Sequence, residues 1–355
     1  MSDNERNYDL KPKSSEQVAA KSFPYEPPVP LRSHRIGLIG CGGISENHLA
    51  AYKHAGFDVV AFSDLDLSRA QARRDAFYPD GEVFVESQAL LENADVDVVD
   101  IATPAAVRVP IIEAALDAGK NVLSQKPFVL DMETGRRLVD LADEKHCLLA
   151  VNQNGRWAPH LSFLREAVKA DLIGDVVSVA VDIHWDHNWI QGTLFDQMTH
   201  VVLEDFAIHW FDFTASIVPG IADRIYASAM RSQGQTAKPP LLATALLDYP
   251  KTRVVLNFDA DTRWGAEDRT VVRGTKGTLI SCGTSLTEQS VTAYTEEGWF
   301  HADLQGNWFR EGFFGTMAEL LCAIEQGRQP LNNARDNLRG LAMCFAAVEN
   351  AESHP

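Results

Sequence analysis

A lysine followed at once by proline, Lys126 and Pro127, and an aspartate and histidine four residues apart, Asp205 and His209, are the residues of this chain best suited to moving a proton. Taking the proton of a hydroxyl requires an acceptor that is neutral at working pH and a positive charge where an alkoxide develops. An imidazole, with an ordinary pKa of about 6.5, suits the first task and an ammonium the second. Residues four apart on a helix share a face, so Asp205 and His209 can reach one small molecule, with Asp205 orienting the imidazole or binding a neighbouring hydroxyl. Each element alone has a plainer meaning. Lys-Pro occurs in surface turns, and Asp-x-x-x-His among Phe206, Trp210 and Phe211 occurs as a satisfied buried histidine. Whether Lys126 or His209 is the immediate base is open at this level.

A second constellation gives the proton chemistry its context. The segment GLIGCGGISENH sets Gly40, Gly42, Gly43 and Ile44 between a predicted strand and a predicted helix, where backbone amides can approach a pyrophosphate. Ser45 stands where a third Gly or Ala is usual. Such a string is weak alone, but Asp64 closes the next predicted strand about 20 residues on, where a carboxylate accepts hydrogen bonds from ribose hydroxyls. Asp64 also has a helix-capping reading, which Asp66 serves equally well. A carboxylate there repels a 2′-phosphate and favours NAD over NADP, a preference that Arg69 and Arg73 downstream can soften. Lys126 follows the fifth predicted strand, at the sheet edge where doubly wound folds bind ligands.

The elements that must position these groups are legible in outline. The runs RIGLIG, DVVAFSD, EVFV, VDVVDIA, NVLSQ and CLLAVNQ are short, apolar and separated by amphipathic stretches, the pattern of buried parallel strands joined by helices. In one linker Val109, Ile112 and Leu116 form a stripe over 107–118, which Gly119 ends. Past residue 152 the runs alternate (VVSVAVDIHW, DRIYASAM, LLATALLDY, TRVVLNFDA, RTVVRG, GTLIS, VTAYT), predicting antiparallel sheet. LEDFAIHWFDFTASI reads as a helix, as do GFFGTMAELLCAIEQG and DNLRGLAMCFAAVENA. The expected fold is α/β: a Rossmann doubly wound parallel sheet over 33–151, then an α+β domain with a large open, mainly antiparallel sheet over 152–335 for substrate binding and oligomerisation. A last helix in 336–355 packs back on the body. Residues 1–32, with the run PYEPPVP, read as a flexible or surface-hugging arm.

Composition excludes several classes. The 355 residues are 45% hydrophobic, enough for two cores, and carry 49 acidic against 32 basic residues for a net charge of -17, which repels phosphate backbones and anionic lipid. No nucleic acid or membrane partner is expected. Neither an apolar run of about 18 to 20 residues nor a secretory signal is present, predicting a cytoplasmic protein. Cys41, Cys147, Cys282, Cys322 and Cys344 are scattered without metal-ligand spacing and read as free thiols. No metal is assigned. His184 with His187, or Glu204 with Asp205, lacks a third ligand.

From about residue 34 to its end the chain resembles the glucose-fructose oxidoreductase, inositol dehydrogenase and rhizopine-catabolism (Gfo/Idh/MocA) oxidoreductases. The resemblance is carried by GCGGIS at 40–45, by ATPAAVRVPIIEAALDAGK, by QKP at 125–127, by Asp205 to His209, by GTKG at 274–277 and by GRQPLNNARDNLRGLAMCFAAVENA. It implies a Rossmann domain, an open sheet whose exposed face makes homo-oligomers (dimer or tetramer), and a Lys-Pro bond, commonly cis, that brings the ammonium to the nicotinamide. Lys126, Asp205 and His209 are then catalytic, and Thr103, Pro104, Gln125 and Asn154 join the glycines, Ile44, Asp64 and Lys126 around NAD. Two positions depart from the pattern: Gln125 replaces a glutamate that would steady the ammonium, and Arg108 replaces a histidine and is compatible with cofactor contact or with tuning substrate charge. Asn152, Gln153, Asn154 and Arg156 fall at the expected cleft. The segment HWDHNWIQGTLFDQ combines aromatic faces with polar groups, as carbohydrate recognition requires, so Trp185, His187 and Trp189, with Asn152, Arg156, Lys126, Asp205 and His209, are the expected substrate contacts. A subunit interface also favours such tryptophans. The implied activity is NAD-dependent oxidation of a sugar or polyol hydroxyl, that of an aldose (a pentose or branched pentose such as apiose) to its lactone. Inositol or polyol oxidation, a redox-assisted glycoside hydrolase or lyase, and a ligand sensor are the alternatives.

Overall fold

A computed structural model describes residues 16–92 and 95–353. Six strands, β1 (Arg35–Ile39), β2 (Asp58–Ser63), β3 (Glu82–Phe84), β4 (Val98–Ile101), β5 (Asn121–Gln125) and β6 (Leu149–Asn152), form a parallel sheet in the order β3-β2-β1-β4-β5-β6. Ile36, Leu38, Val98, Val99, Val122 and Leu123 are fully buried, because helices cover both faces; this is why the strands read as apolar runs without alternation. The crossovers are α1 (Ser45–Ala55), α2 (Leu67–Phe77), α3 (Ser87–Leu91), α4 (Ala105–Asp117) and α5 (Met132–Glu144). Asp66 caps α2 by accepting from the Ser68 amide, and Asp131 caps α5 through the Thr134 amide. After α4, Gly119 turns the chain at φ 70°. Strand order reverses between β1 and β4, so a crevice opens at their carboxyl ends.

Beyond β6 a 3₁₀ turn, Asn154–Trp157, leads into α6 (Pro159–Lys169) and the second sheet. Its strands are β7 (Val176–His184), β8 (Arg224–Met230), β9 (Leu242–Asp248), β10 (Arg253–Asp259), β11 (Glu267–Gly274), β12 (Gly277–Gly283), β13 (Gln289–Thr295) and β14 (Gly298–His301), ordered β14-β13-β12-β11-β7-β10-β9-β8. All neighbours run antiparallel except β7 and β10. The inner face packs Val179, Val181, Leu247 and Leu256 against Phe163, Trp210 and Phe211 of α6 and α7 (Ile208–Ile217). No helix among the described residues is long and apolar enough to cross a membrane.

Two helices close the structure. The segment Trp308–Gln326 (α8) falls by sequence in the second domain, yet Met317, Leu320 and Leu321 share a core with Ile36, Leu38, Leu49 and Tyr52. With α1 and α2, α8 completes the cover of one face of the parallel sheet. The last helix, α9 (Ala334–Ser353), places Leu338 and Leu341 in the core on the other face of that sheet, and Met343, Cys344 and Ala347 in the core of the second sheet.

Of the two readings of the N-terminal arm, flexible or surface-hugging, residues 16–32 fit the second: Val18 donates to the Trp299 carbonyl at 2.9 Å, satisfying the open edge of β14. Tyr25 is buried beside Phe163, its hydroxyl donating to the Asp303 carbonyl at 3.3 Å and accepting from the Gln305 amide at 2.8 Å. Residues 1–15 of the arm lie outside the described residues. The strand Gly298–His301 was unforeseen, being too short to show alternation. And the helix expected across Asp205 and His209 is not one regular helix: Val202–Phe206 forms a π-helical turn, the Ala207 amide reaching back to the Val202 carbonyl at 2.7 Å, before α7 begins.

Candidate active site

The glycine-rich turn joins β1 to α1. Gly40 adopts φ 95°, and a Cβ there would lie 2.9 Å from both Cγ2 and the amide nitrogen of Thr103, so only glycine lets the two turns touch. Around Gly42 and Gly43 a Cβ would meet nothing within 4 Å: the backbone is bare above the start of α1, as a diphosphate requires. Ile44 is the residue before the first turn of α1 and supplies no side-chain cap. Ser45 is fully buried and donates to the Gly42 carbonyl at 2.6 Å, which explains how a hydroxyl is accommodated where a third glycine is usual. Asp64 emerges at the end of β2; one carboxylate oxygen accepts from the Cys41 amide at 2.8 Å and the other from the Asp66 amide at 2.9 Å. The carboxylate is thereby fixed beside the turn. Arg73 pairs with Glu46 at 2.8 Å and reaches the Gly42 carbonyl, while Arg69 pairs with Asp66.

At the far side of the crevice β5 delivers Gln125 and Lys126, and the Lys126–Pro127 peptide is cis. The Lys126 ammonium donates to a carboxylate oxygen of Asp205 at 2.6 Å and to the Asp205 carbonyl at 3.1 Å. Lys126 leaves the end of β5 and Asp205 sits in the π turn of the second domain; they are only 13% and 14% exposed, so a nearly buried ion pair closes the seam between the domains. Asp205 therefore partners Lys126 rather than orienting His209 as the sequence suggested, and the ammonium has its carboxylate from Asp205, not from position 125. The Gln125 carboxamide oxygen is buried without a partner among the described residues, as are the Thr103 hydroxyl and the Gln153 carboxamide oxygen. Pro104 is exposed beside Thr103 at the start of α4. Unpartnered buried polar atoms on both turns, above a bare glycine backbone, fit a nicotinamide nucleotide.

His209 follows the π turn and is half-buried. Its imidazole meets the Trp308 ring edge-on at 5.3 Å, and its Nδ1 is buried with no partner among the described residues. Burial, reinforced by the Lys126 cation, pushes its pKa well below the ordinary 6.5, so the ring is neutral at physiological pH. Gly155 lies directly beside it, a Cβ there reaching 3.5 Å from Nδ1. Trp308 was missed by sequence reasoning; nothing in its neighbourhood distinguishes it from an ordinary helix-start aromatic.

Beyond β7, Trp185 packs 5.9 Å from Trp210, and the His187 ring lies 4.1 Å from that of Phe206, the neighbour of Asp205. Burial lowers the His187 pKa to about 4, against the opposing pull of Asp186 and Asp205. Trp189 is 58% exposed at the rim, near Phe195. The structure thus brings Lys126, Asp205 and His209 together with Thr103 and Gln125 on one side and the Trp185–His187 segment on the other. Among the described residues no group of three or more His, Cys, Asp or Glu is placed to hold a metal ion.

Four residues expected at the cleft are buried. The Arg156 guanidinium is buried, holding Asp212 at 2.6 and 2.9 Å and Asp336 at 3.0 Å, which ties the 3₁₀ turn to α7 and α9. Asn152 is fully buried between His48 and Thr316, in a chain of hydrogen bonds that continues from His48 to Asp100 at 2.7 Å. Arg108 is likewise buried against backbone carbonyls and touches neither solvent nor the open cleft. Asn154 is buried in the 3₁₀ turn, its carbonyl against Gly312 of α8.

A dinucleotide-type sheet that carries Lys126 at its ligand edge, against Asp205 of the π turn and His209 of α7, is the arrangement of an oxidoreductase. Comparison with known proteins agrees: the model of the oxidoreductase family with an NAD-binding Rossmann fold matches residues 34–153, and the GFO/IDH/MocA C-terminal domain matches 162–280. The chain belongs to the Gfo/Idh/MocA oxidoreductase family. Similar curated proteins include D-apiose dehydrogenase of Paraburkholderia graminis, 26% identical over 90% of this chain and 88% of that one. Inositol 2-dehydrogenase of Rhizobium meliloti is 25% identical over 89% and 96%. Among solved structures, an oxidoreductase from Agrobacterium radiobacter in complex with NAD+, L-tartaric acid and magnesium superposes with a TM-score of 0.81 at 22% identity, covering 91% of this chain and 98% of that one.

Proposed function

We propose that the protein is an NAD-dependent dehydrogenase that oxidises a hydroxyl of a sugar or polyol, with an aldose of the pentose or branched-pentose type, such as apiose, going to its lactone. The observation that carries this reading is the Lys126–Asp205 pair at 2.6 Å with a neutral imidazole beside it, at the seam where the nucleotide turn ends. Gly40, Gly42, Gly43 and Ile44 would bind the diphosphate, Asp64 the ribose, and Thr103, Pro104, Gln125, Lys126 and Asn154 the nicotinamide end. NAD supplies the hydride acceptor. The fixed Asp64 carboxylate favours NAD over NADP, since Arg73 and Arg69 are already engaged by Glu46 and Asp66.

In this reading the Lys126 ammonium contacts the substrate oxygen and stabilises the developing alkoxide, a charge that a site shielded from water makes more effective. Asp205 holds the ammonium in place and offers its free lone pairs to a neighbouring hydroxyl. The neutral imidazole of His209 accepts the hydroxyl proton, its neutrality being what an acceptor needs. Trp185 and His187 cover the sugar's apolar face, with Trp189 at the rim. The 25% identity to inositol 2-dehydrogenase over nearly the whole length keeps a ring hydroxyl of an inositol as the second reading.

The outer face of the second sheet supports a homo-oligomer, a dimer or tetramer. Tyr226, Leu246, Val255 and Ala180 stand in register across four adjacent strands as an apolar row.

The test is incubation with NAD or NADP and a panel of aldoses, inositols and other polyols, following reduced nicotinamide, with Lys126→Ala in parallel. Reduction with one alcohol class, far slower but still measurable in the variant, is the expected result. Nucleotide binding without reduction of either cofactor by any alcohol would refute the dehydrogenase reading.

A further inference from the structure

Arg108 lies on α4, one turn into the helix, and its side chain is 1% exposed. Among the described residues it forms hydrogen bonds to three backbone carbonyls and to no carboxylate. Its Nε donates to the Thr103 carbonyl at 3.0 Å, where Nη2 also donates, while Nη1 donates to the carbonyls of both Gln125 and Pro127, the latter at 2.5 Å. Gln125 and Pro127 are the two neighbours of Lys126. One guanidinium nitrogen therefore holds the peptide on either side of the lysine, and the other two tie that turn to the Thr103 turn, which itself contacts Gly40.

We propose that Arg108 is a positioning residue: it fixes the backbone around Lys126 so that the ammonium is delivered to the cleft, and it locks the two turns that face the nicotinamide end into one unit. The proposal rests on the reading of Lys126 as the site's cation.

The chemistry favours arginine at this place. A guanidinium carries five donors in a rigid planar fork, matching three carbonyls arranged on two turns, whereas an imidazole has at most two N–H groups and a lysine presents a single point. The guanidinium directs its donors to main-chain carbonyls, and the Thr103 hydroxyl and the Gln125 carboxamide oxygen are without partners among the described residues, available to a ligand. The arrangement has an electrostatic cost. Burial pushes the Arg108 pKa down to about 9, with Asp100 acting in the opposite direction, as befits a cation solvated mainly by peptide dipoles. That cost is offset at this place by the three carbonyls of the two turns that the guanidinium satisfies together.

The test is a double-mutant cycle on turnover of an alcohol accepted by the wild type, using wild type, Arg108→Ala, Lys126→Ala and the double variant. If Arg108 acts through Lys126, Arg108→Ala lowers kcat about 100-fold in the wild type, as expected for an ångström-scale misplacement. It lowers kcat less than about threefold once Lys126 is already alanine. Arg108→Lys recovers no more than about a tenth of wild-type kcat, for want of the fork. Equal losses in both backgrounds, or an Arg108→Ala enzyme within about threefold of wild type, overturn the proposal. Amide hydrogen exchange on the protein without ligand gives an independent reading. Exchange in Arg108→Ala should quicken at least about tenfold over residues 102–108 and 125–129 and stay unchanged in α9. Unchanged exchange in both turns overturns the proposal even if no alcohol is ever oxidised, an outcome that by itself sinks only the dehydrogenase reading. Should Arg108→Ala fail to fold, Arg108→Lys is read by the same exchange measurement.

Discussion

Asp268 offers a prediction whose size follows from burial alone. It lies on β11 opposite Ile183 and Gly283, its side chain is 1% exposed, and neither carboxyl oxygen has a hydrogen-bond partner among the described residues. Burial pushes its pKa from 3.8 up to about 8, so the folded protein holds this group as the neutral acid at pH 7 while the unfolded chain releases the proton near pH 4. Between those values the folded state binds more protons than the unfolded state. Stability from this group is therefore complete below about pH 4 and is lost progressively as pH rises through about 8. At ~1.4 kcal/mol per tenfold in proton affinity the ceiling is ~5–6 kcal/mol, and relaxation around the charge reduces a realistic value to ~2–3 kcal/mol. With an unfolding entropy of about 2.1 cal/mol/K per residue, ~3 kcal/mol over this chain corresponds to about 4 °C in Tm. Thermal melts of wild type and Asp268→Asn from pH 5 to pH 9 measure it. The wild type should lose about 3–4 °C relative to the variant across that range, all other titrations being common to both. Parallel curves would show that Asp268 is ionised or hydrogen-bonded in the folded protein, and the reasoning from burial would be wrong.

Replacing Arg156 by Leu leaves Asp212 buried without its cation and should cost about 3–5 kcal/mol in denaturant unfolding while KM for the alcohol stays within about twofold. A KM increase above about tenfold at unchanged stability would return Arg156 to the substrate site. Asp64→Asn keeps an oxygen for the Cys41 amide but removes the charge, so kcat/KM with NADP relative to NAD should rise at least about tenfold; an unchanged ratio would place cofactor discrimination elsewhere. Tyr25→Ala should destabilise the protein by ~3 kcal/mol, through the lost ring beside Phe163 and the two lost hydrogen bonds. Indifference to the change would mean that the Tyr25 side chain does not anchor the N-terminal segment. Gel filtration of Leu246→Glu tests the apolar row on the outer sheet face: a shift to a smaller species is expected, and an unaltered elution volume would remove that face from any oligomer contact.

The parallel sheet was readable because strands buried on both faces must be continuous apolar runs, and the glycine turn because close backbone contact tolerates few residue types. Asp64 and Lys126 were readable by their distance from those runs. What the sequence hid was direction. Arg156 and Asn152 stand at the domain junction as expected, but a polar residue there can face the cleft or the core, and only the burial of Asp212 and His48 decides for the core. The Lys126–Asp205 pair joins residues 79 positions apart, a separation that leaves no local trace. The π turn escaped because the apolar period around Asp205 continues smoothly through it. The role of α8 escaped because amphipathicity reveals that a helix has a buried face without revealing which sheet will bury it.

That last point bears on how the chain is made. The residues of the parallel sheet are all synthesised once Asn152 has been added, but the helix that completes the cover of one of its faces ends at Gln326. At about 5–20 residues per second, translation separates the two by roughly 10 to 35 s. During that interval Ile36, Leu38 and Tyr52 lack the Met317, Leu320 and Leu321 that complete their core. The nucleotide-binding half is thus completed by a helix made after the whole second sheet, so that in a nascent chain the second sheet is made before the cover of the first is complete, and a truncation after residue 152 should yield a sticky fragment rather than a free-standing domain.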